Sequence, residues 1–221
     1  MAAKTRNDLR EAIRTQLDMD AEELPDATLD LWLQDGYQRT VDYEERWPFF
    51  EAQWDITTVA DQVAYAKADL ATAHASSYEI DYIASLLDVT DTPIPLMALS
   101  HDRAEEVFGL GTTGSGGTPE YWSEWAGNIN LWLAPAVDRT VRVRGYRKPK
   151  WDTGDAVEVD ADERLHVAVM YFAVAMAYGQ QEDEILMAEW MKEWHGAVRR
   201  AHKGIMGDPQ RRPLVMSGAV V

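Results

Sequence analysis

Asn128-Ile129-Asn130-Leu131-Trp132-Leu133-Ala134-Pro135 and, two residues on, Asp138-Arg139-Thr140-Val141-Arg142-Val143-Arg144-Gly145-Tyr146-Arg147-Lys148-Pro149 decide the fold of this chain. Apolar side chains recur at every second residue: Ile129, Leu131 and Leu133 in the first run, Val141 and Val143 in the second. That is the period of strands with one buried face. The run Gly117-Thr118-Pro119-Glu120-Tyr121-Trp122 precedes them, so Pro and Gly corners frame a region of sheet. Beyond Pro149 the pattern turns helical.

Working outward, Leu9, Ile13 and Leu17 fall at i, i+4 and i+8 beside Ala12, the stripe of an amphipathic helix. A second helix is predicted after Pro25, with Asp26 as N-cap and Leu29, Trp32, Leu33, Gly36, Tyr37 and Thr40 facing inward, ended by Pro48. The period then changes to two. Trp54, Ile56 and Thr58 alternate, and Gln62 to Tyr65 reads as a returning partner after a turn at Ala60-Asp61. Tyr78 to Val89 predicts a further strand or strand pair. Pro93 and Pro95 break the pattern before a short helix over about Ser100 to Val107 and a Gly-rich loop, Gly109 to Gly117.

From Asp160 to Tyr178 apolar residues occupy nearly every face, so this helix must be surrounded by its own domain or by a neighbouring subunit. After a break at Gly179, the last helix carries Ile185, Ala188, Met191, His195, Val198, His202 and Ile205 as its predicted packing stripe. Gly207-Asp208-Pro209 ends it, and Gln210 to Val221 reads as an extended arm. The layout predicts an α+β fold: a small helical bundle of two N-terminal and two C-terminal helices with an inserted antiparallel β-module. Its expected parts are residues 1–47, 48–157, 158–207 and the arm 208–221.

Composition narrows the function. The 221 residues are 46% hydrophobic, enough for a core, yet the formal net charge is −17, so phosphate backbones and anionic membranes are repelled over most of the surface. Cysteine is absent, which removes disulfides, thiolate metal sites and a cysteine nucleophile. The longest apolar run, Val167 to Tyr178, is shorter than the roughly 18 residues of a membrane span, and the N-terminus lacks the apolar stretch of a secretion signal. Nine tryptophans and nine tyrosines are a heavy load for so acidic a chain, and such residues are enriched in the centres of protein contacts as well as in ordinary cores.

No motif for chemistry is complete. Gly109-Leu110-Gly111-Thr112-Thr113-Gly114 matches G-x-G-x-x-G, but a dinucleotide site needs a strand before it and a helix after it, and both flanks are reversed. Glu163-x-x-His166 has di-metal spacing without the second pair such a site requires. His195 and His202 lack a third ligand. Glu120 and Glu124 beside Trp122 and Trp125 leave open a carbohydrate-binding module or glycosidase.

Charge distribution is more specific. Thr15 to Asp138 holds 24 acidic and 4 basic residues, whereas Arg139, Arg142, Arg144, Arg147, Lys148 and Lys150 crowd into twelve positions. On a strand Arg142 and Arg144 share a face, where they can meet the acidic surface of an adjacent copy.

Several features in order carry a family resemblance. They are the acidic helix Asp26 to Arg46 leading into Trp47-Pro48-Phe49-Phe50; Gln62-x-x-Tyr65; Gly117-Thr118-Pro119 before Tyr121; Leu131-x-Leu133-x-Pro135; Val141-x-Val143-x-Gly145-Tyr146-Arg147-x-Pro149; Leu165 to Tyr178; and the closing helix. In this succession the chain resembles the head-to-tail adaptor (connector) proteins of tailed bacteriophages over most of residues 5 to 206. Ala66-Lys67-Ala68-Asp69 departs from the Pro-containing turn that often follows Tyr65 in such proteins.

The resemblance implies a structural virion protein without catalysis or cofactor, made in the bacterial cytoplasm. It would form a dodecameric ring in the neck, bound to the portal protein and to a tail or stopper protein, with genomic DNA passing through. A tail-terminator or other head-completion protein is the neighbouring alternative. Expected portal contacts are Arg211, Arg212, Leu214 and Val215 in the arm; expected inter-protomer contacts are Arg142, Arg144, Arg147, Trp190 and Trp194. The loop residues Gly111, Thr112, Thr113 and Gly114 are expected to face the tail.

Overall fold

The chain, described in a computed structural model at residues 4–44, 46–73, 78–109, 117–152 and 154–207 and by backbone alone at 71–73, folds as an α+β protein. Its described residues form six α-helices and a seven-stranded sheet, distributed over two units: Met1–Phe49 with Pro149–Val221, and Phe50–Lys148.

Four helices make the first unit. Helix α1 (Arg6–Leu17) begins in a capping box, Asp8 N donating to Thr5 Oγ1 at 3.2 Å and Thr5 N to Asp8 Oδ2 at 2.8 Å. Helix α2 (Asp26–Val41) starts differently from expectation. Pro25 holds the N-cap position without a side-chain bond, and Asp26 lies inside the first turn, where its carboxylate meets Arg14 Nη2 at 2.5 Å and Arg10 Nη1 at 3.4 Å. Pro is suited to a helix start because no intrahelical bond needs its missing N–H.

Helix α5 (Glu163–Gln180) packs against α1, against α2 and against α6 (Glu184–Met206). Its Leu165, Ala168, Val169, Phe172, Ala173, Val174 and Ala175 are all buried. The all-round apolar helix is thus enclosed by its own unit. Gly36 of α2 sits so close to it that an added Cβ would lie 2.9 Å from Phe172 Cδ1.

Along α6 the buried side chains are Trp194, Ala197, Val198 and Ala201, while Ile185 is 76% exposed and His195 is exposed. The expected stripe is therefore rotated. The two stripes share Val198, and Met191 packs partly buried beside the observed one, so spacing alone does not separate them. The indole of Trp194 does, edge-on to Phe172 and donating Nε1–H to Thr40 Oγ1 at 3.1 Å.

The second unit is a curled sheet. Strands β1 (Glu51–Thr57), β2 (Ala64–Ala66), β3 (Ile80–Asp88), β4 (Ile94–Ala98), β5 (Tyr121–Trp125), β6 (Asn128–Trp132) and β7 (Thr140–Arg147) run in the order β1-β7-β3-β4-β5-β6-β2. Helix α3 (Lys67–Ala73) touches β1, β2 and β3, drawn from both ends of that order. Inside the curl Trp54, Ile56, Ile83, Leu86, Leu96, Trp122, Ile129, Leu131, Val141 and Val143 form one apolar core, with the alternating residues of β6 and β7 at its centre. Leu133 falls outside the strand, half-buried at φ 66°.

Two pairings differ from expectation. The segment around Tyr65 returns to β6, not to β1: Tyr65 lies opposite Ile129. The Tyr65 hydroxyl accepts from Val59 N at 3.1 Å and donates to Gln62 O at 3.0 Å, turning the chain away from β1. The sheet is also mixed, since β4 and β5 are parallel. Parallel neighbours need a crossover, and helix α4 (His101–Phe108), N-capped by Ser100, lies in the connection.

Candidate functional site

Three histidines are candidates for chemistry, His166, His195 and His202, and each of them is engaged in packing or pairing. His166 is buried, its Nδ1 accepting from Lys4 N at 3.1 Å and its Nε2 within 3.3 Å of Val159 O and 3.2 Å of Ala161 O. Burial lowers its pKa from the usual histidine value, against the pull of those carbonyls. His202 Nε2 sits 3.0 Å from Glu44 Oε2 and holds that carboxylate below its usual range. His195 tilts against Trp194 at 4.4 Å.

Of the carboxylates suggested for sugar chemistry, Glu120 lies just before β5 and Glu124 within it. Glu124 Oε1 accepts from Lys67 Nζ at 2.6 Å, and Trp122 belongs to the core. Trp125, 57% exposed, stacks face to face on His101 at 5.1 Å. Among the described residues no three His, Asp or Glu side chains are grouped to hold a metal.

The strongest surface chemistry lies on the outer face of β7, whose neighbours are β1 and β3. Strand alternation puts Val141, Val143 and Gly145 inward and Arg142, Arg144 and Tyr146 outward. Register then assigns each arginine a different fate. Arg142 lies opposite Asp55 and grips it with two bonds, Nε at 2.8 Å and Nη2 at 3.0 Å. Arg147 is held over the ring of Tyr78 at 4.1 Å and that of Phe50 at 4.9 Å. Arg144 lies opposite Gln53 on β1 and Ser85 on β3, and it is exposed.

Where β7 begins, several turns are tied together. The Arg139 backbone bonds Thr58 twice, its N–H donating to the Thr58 side-chain Oγ1 at 2.9 Å and its carbonyl accepting from Thr58 N at 2.8 Å. Its guanidinium reaches Asp88 at 2.7 Å and Thr118 Oγ1 at 3.2 Å. Asp61 N donates to Pro135 O, and Gly117 N to Ala134 O, both at 2.8 Å. Val59, Ile94 and Val137, each more than half exposed, belong to the segments gathered there. Sequence reading missed this end because these residues flank turns and break no alternation.

Helix α6 offers a third surface. Trp190 is half-buried, edge-on to Tyr171 at 5.2 Å, whereas Trp194 belongs to the core of its unit. Gly111, Thr112, Thr113 and Gly114, like Arg211, Arg212, Leu214 and Val215, lie outside the described residues.

A helical unit interrupted in sequence by a curled, mixed sheet defines a protein of the α+β class. The chain belongs to the SU10 adaptor protein family, whose match covers residues 4–217, and is a phage adaptor protein. No curated protein matches it.

Proposed function

We propose that this adaptor forms a dodecameric ring in the neck of the virion, seated on the portal protein, extending the DNA channel and docking the next tail component. The observation that carries this reading is family membership over nearly the whole chain. A net charge of −17 suits a channel wall, because a polyphosphate meets few fixed cations there and slides without being held. In the ring, Arg211, Arg212, Leu214 and Val215 reach the portal, the arginines meeting acids and the apolar pair filling a groove. Gly111, Thr112, Thr113 and Gly114 face the tail or stopper protein. Arg142, Arg144, Arg147, Trp190 and Trp194 are the proposed set at or behind the contact between copies, with Trp194 acting from inside its unit.

Negative-stain images of the purified chain, alone and mixed with portal protein, test this. Rings of uniform diameter are the expected result. A chain that stays monomeric in both conditions overturns it.

A further inference from the structure

Resting on that ring reading, we propose that Arg144 is the socket for a carboxylate of an adjacent copy of this chain. Arg144 stands in a groove of about 510 Å³ lined by Glu51, Ala52, Gln53, Ala84, Ser85 and Tyr146, with Gly145 beneath. Each other described cation of this unit has a partner. Lys67 pairs with Glu124, Arg103 with Glu106, Arg139 with Asp88, Arg142 with Asp55 and Lys148 with Glu79, and Arg147 lies over aromatic rings. Register explains the exception: on both sides Arg144 meets neutral side chains, Gln53 and Ser85. The acid at the rim, Glu51, lies opposite Tyr146, whose hydroxyl donates to Glu51 Oε1 at 3.4 Å.

The groove has a structural cause. The register between β3 and β7 shifts at Ile83/Ser85, so small side chains, Ala84 and Ser85, lie beside the guanidinium. A planar fork with open space around it takes a carboxylate through two parallel bonds. The acid-rich surface of the chain itself supplies such groups in excess. In a closed ring, every copy offers the same groove to the same surface of its neighbour, so one contact of this kind repeats around the circle. A DNA phosphate is the competing anion. Acids outnumber bases in this unit, and that repels the many charges of a polyanion more strongly than the single charge of one carboxylate.

The test uses the full chain. Arg144→Gln and Arg144→Glu are compared with wild type by sedimentation over a range of protein and salt concentrations, with portal protein added where wild type needs it. Expected is a rise of about tenfold or more in the concentration needed for assembly, larger for Arg144→Glu, with thermal melting of the unassembled chain unchanged. Because the chain has no cysteine, Arg144→Cys carrying a maleimide-benzophenone gives a single photo-crosslinking position, and its products are expected to join an acidic segment of a second copy.

Wild-type rings with both variants assembling at the same concentration overturn the socket while leaving the ring intact. Crosslinks only to portal or to added duplex DNA overturn it as well. A wild-type chain that never assembles removes the ring reading, and the socket with it.

Discussion

The Asp88 carboxylate accepts from Arg139 Nη1 at 2.7 Å with only 4% of its side chain exposed, and this pair locks the end of β3 to the start of β7. Burial alone would raise the pKa of Asp88, but bonds from Thr90 and from Arg139 outweigh it, and the net shift is downward. A carboxylate held lower in the folded state than its unfolded value of about 3.9 contributes stability that is complete above that value and is lost as pH falls through the folded one. Asp88→Asn is expected to cost about 2–4 kcal/mol at neutral pH, since it leaves the guanidinium of Arg139 short of its counter-charge. Denaturant titrations at pH 7 and pH 3 check both parts: the gap between variant and wild type narrows at the lower pH.

His166 gives the opposite end of the pH range. Its pKa is lowered by burial, so the unfolded chain binds a proton that the folded chain refuses. Stability from this group is complete above the unfolded value of about 6.5 and declines as pH falls below it toward the folded value. His166→Gln removes a titrating group whose ring bonds Lys4 N and the Val159 and Ala161 carbonyls. The variant is expected to be less stable at pH 8 by about 1–3 kcal/mol. Between pH 6.5 and 5 its stability is expected to slope less than that of wild type, as chemical denaturation at closely spaced pH values will show.

Alternation made the core strands legible, because Ile129, Leu131, Val141 and Val143 obey a period that only a one-sided strand explains. Strand direction is not written in alternation, so the parallel pairing of β4 with β5 was invisible. Nor does a three-residue strand such as Ala64–Ala66 carry enough pattern to choose between β1 and β6. The basic run of β7 stood out in sequence, but which arginine lacks a partner depends on what lies across the ladder. Asp55 faces Arg142 from 87 positions away, and no local spacing reports that.

Among the described glycines, Gly145 has the closest neighbour. An added Cβ there would stand 2.1 Å from Tyr82 O, a backbone atom that cannot turn aside. Gly145→Ala is therefore expected to push β3 from β7 and to lower stability by about 3 kcal/mol, the upper end of overpacking costs. Thermal melting measures the loss. Gly36→Ala makes a second comparison: its added Cβ would meet side-chain atoms of the buried Phe172, at 2.9 Å from Cδ1 and 3.1 Å from Cβ, and not a backbone oxygen, so its cost is expected to be smaller but still that of overpacking.

Trp190 and Trp194, one helical turn apart on α6, separate folding from assembly. Trp194 is 7% exposed, packs edge-on to Phe172 and bonds Thr40, so Trp194→Ala is expected to cost about 3–5 kcal/mol in any state of association. Trp190 keeps part of its ring at the surface and contacts Tyr171 by an edge, a pairing worth about 0.5–1.5 kcal/mol beyond burial. Trp190→Ala should leave a folded chain whose melting temperature shifts little, while ring formation with portal protein weakens. Circular dichroism reads the first and sedimentation the second. Equal loss of folding in both variants would place Trp190 among the supports of its own unit, and unimpaired assembly by a folded Trp190→Ala chain would remove that face of α6 from the contact between copies.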